Sequence, residues 1–149
     1  MSLGIRKAGP KDLMSLCNLM SELSGHIMTP VQITNRLRFF EESNVDHRFF
    51  VCEENDKILG LLGFRIRENI EETTKYGEVS AIVVNTEDRN KGVGKFMMEY
   101  AEKLALELGC IGTWLTSGFG SEEPAHDFYR RPGYQINGYR FVKLNCSTQ

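Results

Sequence analysis

Residues 78–95, EVSAIVVNTEDRNKGVGK, are the part of the chain best equipped for chemistry. A run rich in β-branched residues leads through Asn85-Thr86-Glu87-Asp88 into Arg89-Asn90-Lys91-Gly92-Val93-Gly94, where a long helical pattern begins. Glycines at a helix N-terminus let several backbone N–H groups converge on one anion, and the helix dipole adds a partial positive charge. Arg89, Lys91 and Lys95 add formal positive charge. These are the parts of a pyrophosphate site. Two familiar phosphate loops are excluded. Phe96 follows Lys95, so there is no G-x-x-x-x-G-K-[ST], and Met97 stands where a dinucleotide fingerprint needs its third glycine. What remains is R-x-x-G-x-G between strand and helix, which taken alone also reads as a glycine-rich turn capping a helix.

The elements that must position this loop follow from periodicity and punctuation. Residues 5–8 read as a strand closed by Gly9-Pro10, and Asp12 as the N-cap of a helix with Leu13, Leu16, Cys17, Met20 and Leu23 inward and Gly25 at its C-terminus. Thr29 and Pro30 start a second helix, with Ile33, Leu37 and Phe40 on one face, ending near Glu42. Residues 48–53 and 57–67 read as two strands around the turn Glu54-Asn55-Asp56, residues 68–75 as a loop, and 78–85 as a strand. Residues 92–108 form an amphipathic helix, with Phe96, Met97, Tyr100, Ala101, Leu104, Ala105 and Leu108 inward and Gly109 as its stop. A strand at 111–117 is followed by a Gly/Ser-rich loop and a short helix around 124–130. Residues 134–144 read as two short strands or one bent one, turning at Asn137-Gly138. The order predicts a single α+β domain, layered, with a mixed and mostly antiparallel central sheet flanked by about four helices.

Bulk properties narrow the class. The 149 residues are 41% hydrophobic and 26% charged, the balance of one globular domain, and the net charge of −2 speaks against a general nucleic-acid binder. The apolar runs are far shorter than the roughly 20 residues a membrane span needs, and no apolar segment of signal-peptide length precedes the first charges. Cys17, Cys52, Cys110 and Cys146 are widely spaced, as free thiols in a reducing compartment would be, with no zinc pattern. The expectation is a cytoplasmic protein without membrane, nucleic-acid or metal partners.

A second motif lies downstream: Ala125-His126-Asp127-Phe128-Tyr129-Arg130-Arg131-Pro132-Gly133-Tyr134. A-x-x-F-Y-x-x-x-G-Y after an R-x-x-G-x-G helix and a further strand resembles the GNAT superfamily of N-acetyltransferases, and the resemblance extends over nearly the whole element order. It implies the GNAT fold and direct transfer of an acetyl group from the cosubstrate acetyl-CoA to a primary amine, without a covalent acyl-enzyme. At matching positions, Arg89, Asn90, Lys91, Gly92, Val93, Gly94 and Lys95 would hold the CoA pyrophosphate. Ile82, Val83 and Val84 would line the pantetheine in a splayed gap between strands, with the Ile82 N–H polarising the thioester carbonyl. That is an oxyanion-hole function. Tyr129 matches the family tyrosine beside the CoA sulfur and would act as acid, against the reading of a packing aromatic.

An amine must lose a proton to become nucleophilic, so a base is expected. Glu78 is the candidate, and members related to histone acetyltransferases carry their glutamate base at this distance before the arginine. The residues also allow Glu78 to be a solvated strand-edge charge or a ligand of the substrate ammonium. Tyr76 would face the acceptor, and His126 has a competing claim as acid or base. The tail 125–143, taken with GEVSAIVV, resembles the aminoalkylphosphonate N-acetyltransferase-like branch. The first two helices and the loop at 68–75, which shape the acceptor pocket in this family, match it least, and Pro132 departs from the residue usual before the glycine. The implied partners are acetyl-CoA and a small amine; a homodimer is compatible. A peptide amine as acceptor, or a non-catalytic acyl-CoA sensor, are the rival readings.

Overall fold

The computed structural model describes residues 2–116, 133–138 and 140–145. The chain divides into two compact units, Met1–Thr116 and Ser117–Gln149. The first contains every helix and strand described here. In chain order these are β1 (Gly4–Lys7), α1 (Leu13–Ser24), α2 (Pro30–Glu42), β2 (His47–Glu54), β3 (Lys57–Glu68), β4 (Lys75–Val84), α3 (Val93–Glu107) and β5 (Gly112–Leu115). The five strands form one sheet in sequence order, antiparallel from β1 to β4 and parallel between β4 and β5. A mixed sheet with helices against it is the α+β arrangement the sequence implied. No described helix is long and apolar enough to cross a membrane.

Local signals explain most of the boundaries. Thr29 caps α2 by accepting from the Gln32 N–H while the Gln32 side chain accepts from the Thr29 N–H, a reciprocal capping box. Asn55 and Asp56 both take positive φ (51° and 64°), the two-residue turn that matches strand twist and joins β2 to β3. Gly25 ends α1 at φ 80°.

Two layers of core enclose the sheet. Leu16, Leu19, Ile33, Val51, Leu61 and Val83 pack together on the side of α1 and α2. On the other side α3 lays down Val93, Met97, Met98, Ala101 and Ala105, with Tyr100 edge-on to Phe50 at 5.2 Å. Phe96, expected to face inward, is exposed. The buried positions 93, 97, 101 and 105 recur every four residues, and Phe96 falls to one side of that stripe.

Other expectations are corrected. β4 begins at Lys75 and β3 runs to Glu68, so the two end residues of the stretch read as a loop belong to strands, while 69–74 connect them. Those two residues face each other across the sheet, and a partner strand is invisible in a linear pattern. No strand is present in the described residues of 134–144; alternating residues make a strand only where a partner supplies the ladder. The helix expected around 124–130 lies outside the described residues.

Asp12 was expected to cap α1 but makes no cap bond. Its buried carboxylate accepts from Arg6 at 2.7 and 2.9 Å and from the Gly9 N–H at 2.9 Å, fastening β1 to the start of α1. The arginine hydrogen bonds, opposed by burial, hold the carboxyl below its ordinary 3.8. A carboxylate with a depressed folded-state pKa contributes stability above its unfolded value and loses it as pH falls through the folded one. Asp12→Asn should therefore lower stability at pH 7 by about 2 kcal/mol. The difference from the parent should shrink below about pH 4. Thermal midpoints measured from pH 7 to pH 2.5 check this, and a pH-independent difference would remove the ion pair as its cause.

Candidate active site

The geometry of the site starts from an irregularity in β4. Pairing with β3 sets Phe64 against Val79 and Gly63 against Ala81, so Ser80 is an extra residue bulged between them. A hydrogen-bonded strand turns alternate residues toward alternate neighbours. The Asn85 N–H donates to the Leu59 carbonyl, so Asn85 and Val83 address β3. Ile82 and Val84 accordingly turn to the opposite edge. At the other end the Lys75 carbonyl accepts from the Ile111 N–H next to β5, so Lys75, Gly77 and Val79 turn outward there. The outward set changes from odd to even positions across Ser80. Among the described residues, β5 pairs with β4 only over Tyr76, Gly77, Glu78 and Val79. Beyond Val79, among the described residues, the outward N–H groups at Ile82 and Val84 meet no strand.

That open edge runs into the glycine loop. A short 3₁₀ turn, Thr86–Asp88, leads to Asn90 at φ 62° and Gly92 at φ 86°, the N-cap of α3. A Cβ at Gly92 would meet no atom within 4 Å, so backbone angle, not crowding, selects glycine there. No side chain caps α3, and the first intrahelical bond runs from Phe96 N–H to the Gly92 carbonyl. The N–H groups of Val93, Gly94 and Lys95 therefore have no acceptor within the helix. Lys91 and Lys95 are exposed. Buried Asp88 lies beneath the loop with Lys57 at 3.6 Å and Lys91 at 3.8 Å. Arg89, expected to supply charge to an anion, donates to the Val84 carbonyl at 3.1 Å and pairs with Glu22 of α1, which also accepts from Thr86 at 2.9 Å.

Of the hydrophobic residues expected to line a ligand channel, Ile82 and Val84 are half-buried. The side chain of Val83 is taken up by the α1-side core.

Glu78 sits two residues before the bulge, inside the sheet. Its side chain is only 13% exposed, which removes the reading of a solvated edge charge. Arg65 grips it at 2.7 and 3.3 Å, and Arg67 lies 3.5 Å from the same carboxylate while covering the Trp114 ring at 5.7 Å. A two-pronged arginine contact occupies one edge of the carboxylate and leaves further lone pairs free to accept.

The sequence did not single out Arg65 and Arg67, nor the pair His47–Ser80, whose Nε2 and Oγ are 2.6 Å apart. Burial, then the charge of Arg65, lowers the imidazole below its ordinary 6.5, so His47 is neutral at pH 7. Only the opposing register of β2, β3 and β4 brings these residues together, and no local pattern encodes that. Tyr129, with His126 and Phe128, lies outside the described residues. Cys17, Cys52 and Cys110 are buried and free. Burial pushes the Cys52 thiol up to about 11, so it is inert.

Comparison with known proteins agrees with this architecture. The sequence matches the family model described as "Acetyltransferase (GNAT) family" over residues 16–134. A GNAT family acetyltransferase from Staphylococcus aureus superposes with a TM-score of 0.80 at 26% identity, covering 97% of this chain and all of the other. Glucosamine-6-phosphate N-acetyltransferase from Arabidopsis thaliana gives 0.77 at 21% identity, covering 97% and 99%. An aminoglycoside acetyltransferase from an uncultured soil metagenomic sample, in complex with sisomicin, gives 0.73 at 18% identity, covering 96% and 97%. A comparison with curated protein sequences finds no match. A mixed sheet whose fourth strand bulges and then parts from the fifth beside an uncapped helix N-terminus, in a sequence matched over most of its length, identifies the chain as an acyltransferase belonging to the GNAT acetyltransferase family.

Proposed function

We propose that the protein transfers an acetyl group from acetyl-CoA directly to a primary amine of a small molecule. The observation that carries this reading is the continuity of the open β4 edge with the uncapped N-terminus of α3, with Glu78 on the same strand just before the bulge. The N–H groups of Val93, Gly94 and Lys95, with Lys91 and the Lys95 side chain, would hold a pyrophosphate. The Ile82 N–H would donate to a carbonyl oxygen as negative charge develops on it. Glu78 would accept the proton of the acceptor amine, directly or through water, and Tyr129 would protonate the departing thiolate. Arg65 and Arg67 outnumber Glu78 along this stretch, which favours acceptors that carry an acidic group over polycations.

The test is release of free thiol from acetyl-CoA against aminoalkylphosphonates, amino acids, polyamines, aminoglycosides and a lysine peptide, with acetyl-CoA binding followed by thermal shift. Turnover with a small acidic amine is expected. Turnover with the lysine peptide alone would move the reading to a protein acetyltransferase. Binding without release from any amine would leave a sensor domain, and no binding at all would refute the assignment of the glycine loop.

A further inference from the structure

Ser80 is the residue whose insertion reverses the outward-facing set along β4, yet a bulge alone is a deformable feature. Three observations show it fastened. The Ser80 hydroxyl lies 2.6 Å from His47 Nε2 on β2, two strands away. The intervening residue of β3 is Gly63, where a Cβ would fall 2.6 Å from Ser80 Oγ and 3.2 Å from Ala81 Cβ. The hydroxyl therefore reaches across β3 through space that only a glycine leaves open. The imidazole is itself packed against two aromatic rings, with Phe40 and Phe49 centroids each 4.6 Å away.

The other ring nitrogen, Nδ1, is buried with no hydrogen-bond partner. An orphaned buried N–H is rarer than an under-used acceptor, so the proton belongs on Nε2, which donates to Ser80 Oγ. The groups facing the ring are Arg65 from β3, Glu78 from β4, Arg36 from α2 and Asp46 just before β2.

We propose that the His47–Ser80 hydrogen bond locks the β4 bulge and thereby aims the outward N–H of Ile82, making His47 a positioning residue for acetyl transfer. This rests on the function proposed above for that N–H. His47 touches neither the glycine loop nor the open edge; it acts through Ser80. The acceptor side and the acyl side of β4 are thus tied to one register by a single bond to β2.

The experiment uses the full chain in five forms: wild type, Ser80→Ala, His47→Phe, His47→Gln and the double variant Ser80→Ala/His47→Phe. Phenylalanine keeps a ring packed on Phe40 and Phe49 without the donor, whereas glutamine restores an N–H donor at about the same reach. Two readouts are taken. The first, independent of activity, is hydrogen exchange of the Ala81 amide, which adjoins the bulge. It should accelerate about 10-fold or more in Ser80→Ala and His47→Phe and stay near wild type in His47→Gln. The second is steady-state kinetics with the acceptor found in the amine panel. kcat should fall about 10-fold in the first two variants, with KM for acetyl-CoA within about 3-fold, and the double variant Ser80→Ala/His47→Phe should be no worse than either single one.

Unchanged Ala81 exchange would overturn the proposal whatever the activity. Faster exchange with unchanged kcat would overturn the aiming role. Failure of the wild type to release thiol from any amine would instead refute the acetyl-transfer reading, and with it the proposed purpose of the lock, while the exchange readout still decides whether the bond fixes the bulge.

Discussion

Glu78→Gln is expected to lower turnover about 100-fold or more while leaving acetyl-CoA binding unchanged, the size of effect that loss of a positioned general base produces. The substitution keeps the shape of the side chain and an oxygen for Arg65 to hold, but it removes the proton acceptor. Glu78 is held by arginines on one carboxylate edge, so two roles predict different kinetics. A base that takes the ammonium proton would show the loss in kcat, most severely at low pH, where more of the amine is protonated. A carboxylate that only holds the ammonium would show a raised acceptor KM with kcat retained. Initial rates at varied acceptor concentration between pH 6 and pH 9 separate these. A wild-type rate across that range would exclude both. Arg65 is 36% exposed, so the arginine left facing a neutral amide can still be hydrated, and a thermal melt distinguishes a lost base from a lost fold.

The same strand shows how far the sequence could be read. The glycine loop and the start of α3 were legible because each depends on local rules: the αL angle at Gly92 and β-branched runs before a helix; Glu78 was named from the family resemblance. The cap at Thr29 and the turn at Asn55-Asp56 were legible for the same reason. What escaped depends on register. Nothing near Ser80 distinguishes a bulged residue from a regular one, because the extra residue exists only relative to Gly63 and Phe64 on the facing strand. The pairing of Arg89 with Glu22 escaped because Glu22 lies on α1, far away in sequence. The His47–Ser80 pair escaped because its two members lie on β2 and β4, two strands apart. Asp12 had the right type and position for a cap, and Arg6 outcompeted the helix end for it: two charge-assisted bonds at 2.7 and 2.9 Å outweigh one cap bond to a neutral N–H.

The largest loss of stability should come from Phe64→Ala, and its coupling to Gly77 would show why β4 carries a glycine beside Glu78. Phe64 is fully buried on the α3 side of the sheet. A Cβ at Gly77 would fall 2.7 Å from Phe64 Cε2, 2.8 Å from Phe64 Cζ and 2.8 Å from Ala105 Cβ. The ring and the helix thus occupy the space a side chain at 77 would need. Truncating the ring should cost about 3–5 kcal/mol, a drop in thermal midpoint of roughly 10–15 °C for a chain of this length. Gly77→Ala alone should cost about 1–3 kcal/mol through overpacking. Because the added methyl would enter the cavity left by the ring, the double variant should be more stable than the two losses predict, by about 1 kcal/mol or more. Chemical denaturation of the four proteins measures this directly. Strict additivity would mean that Ala105, not Phe64, excludes a side chain at position 77. In that case the close approach of α3 to β4 is what demands the glycine, and Phe64 serves only as core.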